Sequence, residues 1–522
     1  MNRGGTTRRD ETLSGRGLQF TLGSGGRRCG RVWHPLRIWV TLAVVVSLNA
    51  VPAGAGAEES QDVESAVISI MVTHQRSDWY SPWQLSRPGE SSGSGFLIAP
   101  GRVLTNAHVV SDARQIIVRR GTDDTPFFAA VEYIAHDCDL AVLRIENPDF
   151  AAKVKPLVLG GLPSLRSRVR TYGFPAGGEK ISRTEGVVSR VEFITYAHSE
   201  ADAHLGIQTD SAINPGNSGG PVMQDGKVIG VAFQTSTRLN DVGFFIPTPV
   251  VKRFLKDIQD GRYDGYPEMG IVTSNLVNPA YRAYLNQGKG KGGVVVDRVV
   301  PNTSADGRVQ AGDVLLAING HAISQEGTIG IYGNNLGLEQ IAEEKQIGET
   351  VDLKLSRGGN LHTVTLKLKG LPNGARIRRQ FDVEPSYFIT AGLVFMNLDQ
   401  EFLNTFGNFW KEAEKHLLYA HFQNFIEHPR EARQRVVLSR LLPHRVNSAY
   451  GGMVNRLLKA VNGVEIRTLS DIPKALENPE NGVHRFELEP GALLMVLDAK
   501  EAGVAHQEIL TSYGIRSDRR LP

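Results

Sequence analysis

The feature that most constrains this chain of 522 residues is a close succession of short β-type stretches, punctuated by turn residues, running from Val63 to about Pro249. Ala66–Val72, Gln115–Arg119, Leu140–Ile145, Gly186–Phe193 and Val228–Phe233 are examples, most of them rich in Val, Ile, Phe and Ala. Such spacing predicts an all-β barrel or sandwich rather than alternating β and α units. Thr248-Pro249 then opens a helix that carries Val250, Val251, Phe254, Leu255 and Ile258 on one face. Asp260 to Gly265 reads as a linker. A second unit, residues 266–370, contains Met269-Gly270-Ile271, a strand over Val294–Val300, the stretch Gly312–Gly320 and a helix near Leu336–Glu344. The remainder, 371–522, repeats that logic loosely through Ala391-Gly392-Leu393, Leu457–Ile466 and a short helix near Leu469–Leu476, interrupted by a helical insertion over about Asp399–His428.

Residues 1–57 differ in kind. They carry eight Arg, no Lys, and only Asp10 and Glu11 as acids, and they end in an apolar run followed by Val-Pro-Ala-Gly-Ala-Gly-Ala. This reads as a basic extension plus a signal peptide, with cleavage after Ala55 or Ala57 and export to a compartment such as a bacterial periplasm. The run Ile38–Ala50, about 13 residues, is short of the roughly 20 that a membrane span needs. An uncleaved anchor and a twin-arginine signal at Arg27 and Arg28 are the alternatives, and the start could lie downstream of Met1. Taking eight of the 58 basic and two of the 55 acidic residues away leaves 50 against 53, so the formal charge moves from +3 to about −3. The basicity belongs to the targeting segment, and no nucleic-acid partner is implied. The mature chain keeps only Cys138, so no intrachain disulfide is available. Cys138 is read as a buried apolar filler rather than a nucleophile.

Three stretches of the β-rich region carry chemistry: Thr105-Asn-Ala-His108-Val-Val110, His136-Asp-Cys-Asp139-Leu-Ala-Val-Leu143 and Gly216-Asn-Ser218-Gly-Gly-Pro221. A serine hydroxyl is a weak nucleophile and needs a base, itself oriented by a third group. His108, Asp139 and Ser218 suit those roles. The glycines flanking Ser218 let the backbone turn tightly enough for the N–H groups of Gly216 and Ser218, with Asn217 between them, to converge as an oxyanion hole. The same string satisfies the Gly-x-Ser-x-Gly elbow. That elbow requires a helix after the serine and the order Ser, Asp, His, whereas here Gly219-Gly220-Pro221 leads into a strand and the partners precede the serine. The order His, Asp, Ser is that of chymotrypsin-like barrels. His416, His421 and His428 lack the spacing of a helical metal pair, so no metal or cofactor is expected.

With Ser92-Gly-Ser-Gly-Phe96, Tyr172-Gly-Phe-Pro-Ala-Gly177, Gly186-Val-Val-Ser-Arg190 and Gly243-Phe-Phe-Ile-Pro-Thr248 added, the chain resembles the HtrA/Deg family of serine proteases. The long last domain, with Tyr387-Phe-Ile-Thr-Ala-Gly-Leu-Val-Phe395, resembles the plant-type subgroup. The resemblance implies a mainly β chain: a chymotrypsin-like double barrel over 58–262, a PDZ domain over 266–370, and a divergent α+β PDZ-like domain over 371–522. It implies ATP-independent hydrolysis of unfolded proteins in trimer-based homo-oligomers, with a resting chaperone or peptide-binding scaffold as the other reading. It places Ala212, Ile213, Asn214, Val231 and Phe233 at the P1 pocket, small or apolar residues that suit cleavage after Val or Ala, and leaves Asp210 as a loop hydrogen bonder. Met269, Gly270 and Ile271 become the loop that cradles a C-terminal carboxylate while a peptide adds as a strand. For the last domain, peptide capture and packing or oligomer contacts both stand. Trp79, Tyr80 and Trp83 fall where the family builds trimer contacts, with a mobile loop as the competing reading.

Overall fold

The alternation that marks the first β stretch sends Ile68, Ile70 and Val72 to one side, where they are buried with Leu97, Val103 and Leu143. In a computed structural model of the chain this side is the inside of a closed barrel. The structure describes residues 63–522 except 122, 152–153, 176–177, 179, 236–242, 289–291, 371–377 and 424–433. The expected targeting segment and the residues around its cleavage site lie outside the described residues. The first barrel comprises β1 (Val67–His74), β2 (Gly89–Ala99), β3 (Arg102–Thr105), β4 (Ala113–Arg120), β5 (Asp123–Ala135) and β6 (Leu140–Arg144), in the order β1-β2-β3-β6-β5-β4.

A second closed barrel follows, with β7 (Arg168–Gly173), β8 (Ser182–Thr195), β9 (Ala203–Thr209), β10 (Pro221–Gln224), β11 (Lys227–Thr235) and β12 (Gly243–Pro247) in the order β10-β11-β12-β9-β8-β7. Val169, Ile207, Val222, Ile229 and Phe245 form its own cluster. Strand residues of opposite parity, such as Phe96, Leu104, Val142, Val231 and Phe233, share one buried cluster drawn from both barrels. The β-barrel reading of the spacing holds, and the double barrel that the resemblance implies is present. The helix Thr248–Asp257 buries Val250, Val251 and Phe254 against this cluster, with Pro in its first turn.

The two downstream domains differ at one edge. In the first, strand Ile271–Asn275 ends its sheet and, among the described residues, pairs with Val294–Val299 alone. In the last, the corresponding strand Leu393–Asn397 lies between Val436–Leu441 and Tyr387–Thr390. Ala391 and Gly392 at φ 45° and 83° make the tight turn that folds Tyr387–Thr390 back onto it. The side on which the first domain can accept a strand is thus filled, in the last, by the chain itself.

Several expected helices differ. The one placed near Leu336–Glu344 is confined to Gln340–Glu343, because Asn334–Gly337 pairs with Thr328–Ile331. The insertion is broken into Gln400–Asn404, Phe409–Glu412, Lys415–Leu418 and a π-turn Tyr419–Gln423, with 424–428 outside the described residues. Ala499–Ser512, which the sequence reading left unassigned, is a helix of 14 residues capped by Asp498. Trp79 and Trp83 pack on the core of the last domain. The Arg440 guanidinium lies 4.4 Å from the Tyr80 ring centroid and donates to Ser81 Oγ at 2.7 Å. This aromatic loop is therefore an interdomain contact within one chain.

Candidate active site

His108 sits in the short helix Ala107–Val110 that directly follows β3. Its backbone N–H donates to Asp139 Oδ1 at 2.8 Å, and its Nδ1 lies 2.6 Å from Asp139 Oδ2. Both carboxylate oxygens thus grip one residue, which fixes the ring and leaves Nε2 as its free nitrogen. Asp139 is fully buried and takes φ 52° at the turn before β6, a left-handed conformation that Asp tolerates better than most residues. Asn106 supports the turn by donating Nδ2–H to the Asp139 carbonyl at 2.9 Å. Burial of the imidazole works against its charged form, yet the neighbouring Asp139 carboxylate outweighs it and the ring titrates above its ordinary 6.5. Burial likewise works to raise Asp139, but His108 and, more weakly, His198 hold it below its ordinary 3.8.

Ser218 lies in the loop between β9 and β10, tied to the other barrel by Ser94 of β2. Ser94 N–H donates to the Ser218 carbonyl at 2.8 Å, and Ser94 Oγ donates to the Gly216 carbonyl at 2.7 Å. Ser94 Oγ also accepts from Phe174 N–H at 2.8 Å. Gly219, at φ 86°, passes so close that a Cβ there would stand 2.0 Å from the Ser94 carbonyl and 2.3 Å from Thr105 Oγ1; only glycine fits. Among the described residues, the N–H groups of Gly216 and Ser218 have no hydrogen-bond partner, while Asn217 N–H donates to the Asn214 carbonyl at 2.9 Å. Ser218 Oγ donates to the Phe233 carbonyl at 3.3 Å.

The structure therefore joins His108 and Asp139 directly and fastens the serine loop to Ser94 and against Thr105 of the first barrel, while the Ser218 hydroxyl is directed to the Phe233 carbonyl and not to His108. The residues expected around a P1 pocket divide: Ile213 is buried in the second-barrel cluster, Val231 and Phe233 in the shared cluster, and Ala212 and Asn214 are exposed. Asp210 accepts from Val187 N–H at 2.6 Å, a loop role. Burial pushes the Cys138 thiol well above its usual range, which suits a filler.

In the first of the two downstream domains, Met269 is buried, Gly270 turns at φ 72° and Ile271 begins the end strand. The carbonyls of Met269 and Gly270 are held by Ala305 N–H at 3.0 Å and Val300 N–H at 2.8 Å. A cavity of about 510 Å³ opens between this loop, the helix Gln340–Glu343 and strands β8 and β9 of the second barrel. Sequence reasoning missed Ser94 and Asn106 as supports, although both stand inside motifs it quoted. It also missed His198, which faces His108 at 6.2 Å between ring centroids; nothing local marks that residue.

The chain is similar to known proteins along most of its length. Residues 93–231 match the trypsin-like peptidase domain, and residues 267–368 and 377–520 match PDZ domains. The chain is 36% identical over 466 residues to Protease Do-like 2, chloroplastic, of Arabidopsis thaliana, covering 87% of this chain and 74% of that one. It is 33% identical over 442 residues to Protease Do-like 4, mitochondrial, of the same plant, covering 84% and 82%. A solved structure of the HtrA-type protease AlgW with decapeptide is 25% identical, with 60% of this chain and 99% of that chain covered and a TM-score of 0.46. With this degree of identity across almost the whole chain, the protein belongs to the HtrA/Deg family of Do-like, trypsin-like serine proteases.

Proposed function

We propose that this protease hydrolyses peptide bonds of unfolded or damaged proteins without ATP, with Ser218 as nucleophile, His108 as general base and Asp139 as the group that orients His108. The observation that carries the reading is the double grip of Asp139 on His108, which leaves His108 Nε2 as the free nitrogen. In the acylation step Ser218 Oγ attacks the scissile carbonyl carbon as its proton passes to His108 Nε2. The same proton then goes to the leaving amine, and water repeats the sequence to release the acyl group. The unpaired N–H groups of Gly216 and Ser218 stabilise the oxyanion, and removal of one such donor typically costs about 10²–10³ in rate. Ala212, Ile213 and Asn214, with Val231 and Phe233, are proposed to border a P1 site for small aliphatic side chains. The open edge at Ile271–Asn275 takes a peptide strand, and Met269 and Gly270 offer its carboxylate their N–H groups. Residues 1–57 act as a targeting segment. Relatives are named as chloroplastic and mitochondrial, which supports export from the cytosol without singling out the periplasm.

Incubation of purified protein with unfolded casein, with mass spectrometry of the released peptides, tests the reading. Cleavage after small aliphatic residues that disappears in Ser218→Ala supports it; cleavage that persists removes Ser218 from the role. A second reading, a resting peptide-binding protein, is favoured by one observation, the Ser218 hydroxyl directed at the Phe233 carbonyl. A fluorophosphonate probe separates the two, since a resting site fails to label even with unfolded substrate present. Light scattering of the same sample tests the trimer-based assembly.

A further inference from the structure

The side of His108 that faces His198 is built by residues far apart in sequence. His198, 8% exposed, lies in the turn between β8 and β9. Its Nε2 is 3.0 Å from His136 Nδ1, and His136 Nε2 is 3.0 Å from Asp382 Oδ2. Phe381 lies flat on His198, with ring centroids 4.0 Å apart and planes 20° from parallel, and is itself 7% exposed. It also reaches His136 at 5.2 Å.

Phe381 and Asp382 belong to the opening segment of the last PDZ domain, ahead of its first strand Tyr387–Thr390, and that segment is fastened to the protease domain on both sides. Asp112 N–H donates to Asp382 Oδ1 at 2.6 Å, and Asp382 N–H returns a bond to Asp112 Oδ1 at 2.9 Å. Arg378 pairs with Asp202, and Arg379 bridges Glu200 and Glu401 at 3.0 Å each. Arg379 and Arg76 stand over the Phe381 ring at 5.5 and 5.3 Å. This many reciprocal contacts define a docked strap and not a loose linker.

We propose that Phe381 and Asp382 are positioning residues for the catalytic histidine: supplied from outside the protease domain, they hold the His136–His198 pair against His108, so that docking of the last PDZ domain sustains catalysis at mildly acidic pH. The proposal rests on the assignment of His108 as the base. The groups that face His198 are Asp139, His136, His108 and Arg379, with Asp382 beyond His136. Burial is the main cause that holds His198 neutral, down at about 3, and it outweighs the pull of Asp139. Uncovering the ring restores its access to water, so His198 gains a proton below the ordinary imidazole range. A cation there draws on Asp139 and opposes the imidazolium that His108 must become as it takes the serine proton.

The test is the pH profile of kcat/KM on a fluorogenic peptide substrate for the full chain. Phe381→Ala is expected within about twofold of the parent at pH about 8.5 and about three- to tenfold lower at pH about 6, through an added ionisation in the acid limb. Phe381→Tyr restores the parent profile, and in a His198→Gln background Phe381→Ala adds no ionisation. A uniform loss at every pH, or an acid effect that survives His198→Gln, overturns the proposal. Diethyl pyrocarbonate modification read by mass spectrometry decides the contact without cleavage: His198 reacts faster in Phe381→Ala, and equal rates overturn it. If the parent protein cleaves nothing, the assignment of His108 fails, while the modification rates still report on Phe381.

Discussion

His204 of β9 and Glu343 of the first PDZ domain meet at 2.6 Å across the domain boundary, with 3% and 16% of their side chains exposed. Burial disfavours a charged His204, but the Glu343 carboxylate outweighs it and the ring titrates above its ordinary 6.5. Because its pKa is raised on folding, the pair contributes fully below the unfolded imidazole value and loses that contribution as pH rises through the folded one. Glu343→Gln in a Ser218→Ala background is expected to destabilise the docked state by about 1–3 kcal/mol at mildly acidic pH. The effect should fade toward alkaline pH, as the pH rises through the folded imidazole value. Urea unfolding at the two pH values checks it, and an equal cost at both would contradict the ion pair.

Asp139→Asn removes the carboxylate that orients His108 and leaves a side chain able to stabilise the wrong tautomer. Turnover of a peptide substrate is expected to fall by about 10³–10⁴ with the fold intact. Circular dichroism and kcat together check this. A loss below about tenfold would show that His108 does not depend on Asp139.

The acid limb of kcat/KM should have its midpoint above the ordinary imidazole value of 6.5, because Asp139 holds the proton on His108. The same pair has a signature in stability. Asp139 is lowered on folding, so its contribution is present above the ordinary carboxylate range and disappears as pH falls through the folded value. Thermal unfolding of Ser218→Ala and Ser218→Ala/Asp139→Asn between pH about 2 and 7 should converge at the acid end.

Gly219→Ala introduces a Cβ 2.0 Å from the Ser94 carbonyl at a residue with φ 86°. Something in the serine loop must shift, and the left-handed conformation alone costs roughly 1–2 kcal/mol. Lower thermal stability and a loss of fluorophosphonate labelling are expected together. Labelling at the parent rate would mean that the loop relaxes without moving Ser218.

The barrels were legible because a period of two, interrupted by turn residues, leaves few other packings open, and the parity of Ile68 and Ile70 against Val67 is written in the chain. His108, Asp139 and Ser218 stood out by order and by the glycines around the serine. The stretch Leu336–Glu344 misled, since Leu338 and Ile341 stand three apart, as on a helical face, while Asn334–Gly337 pairs instead with Thr328–Ile331. His198, Phe381 and Glu343 were not legible at all. Their roles arise from contacts across domains, and no local pattern encodes a neighbour 183 positions away, as Phe381 is from His198.

The hairpin that fills the edge of Leu393–Asn397 has a bearing on how such a protein survives its own work. Extended segments of other chains can add to any exposed sheet margin they meet. In the last domain that margin at Leu393–Asn397 is already taken by Tyr387–Thr390, joined covalently and always at hand. The margin at Ile271–Asn275 has no such cover among the described residues, so the two domains differ in whether this edge stands open to an added strand.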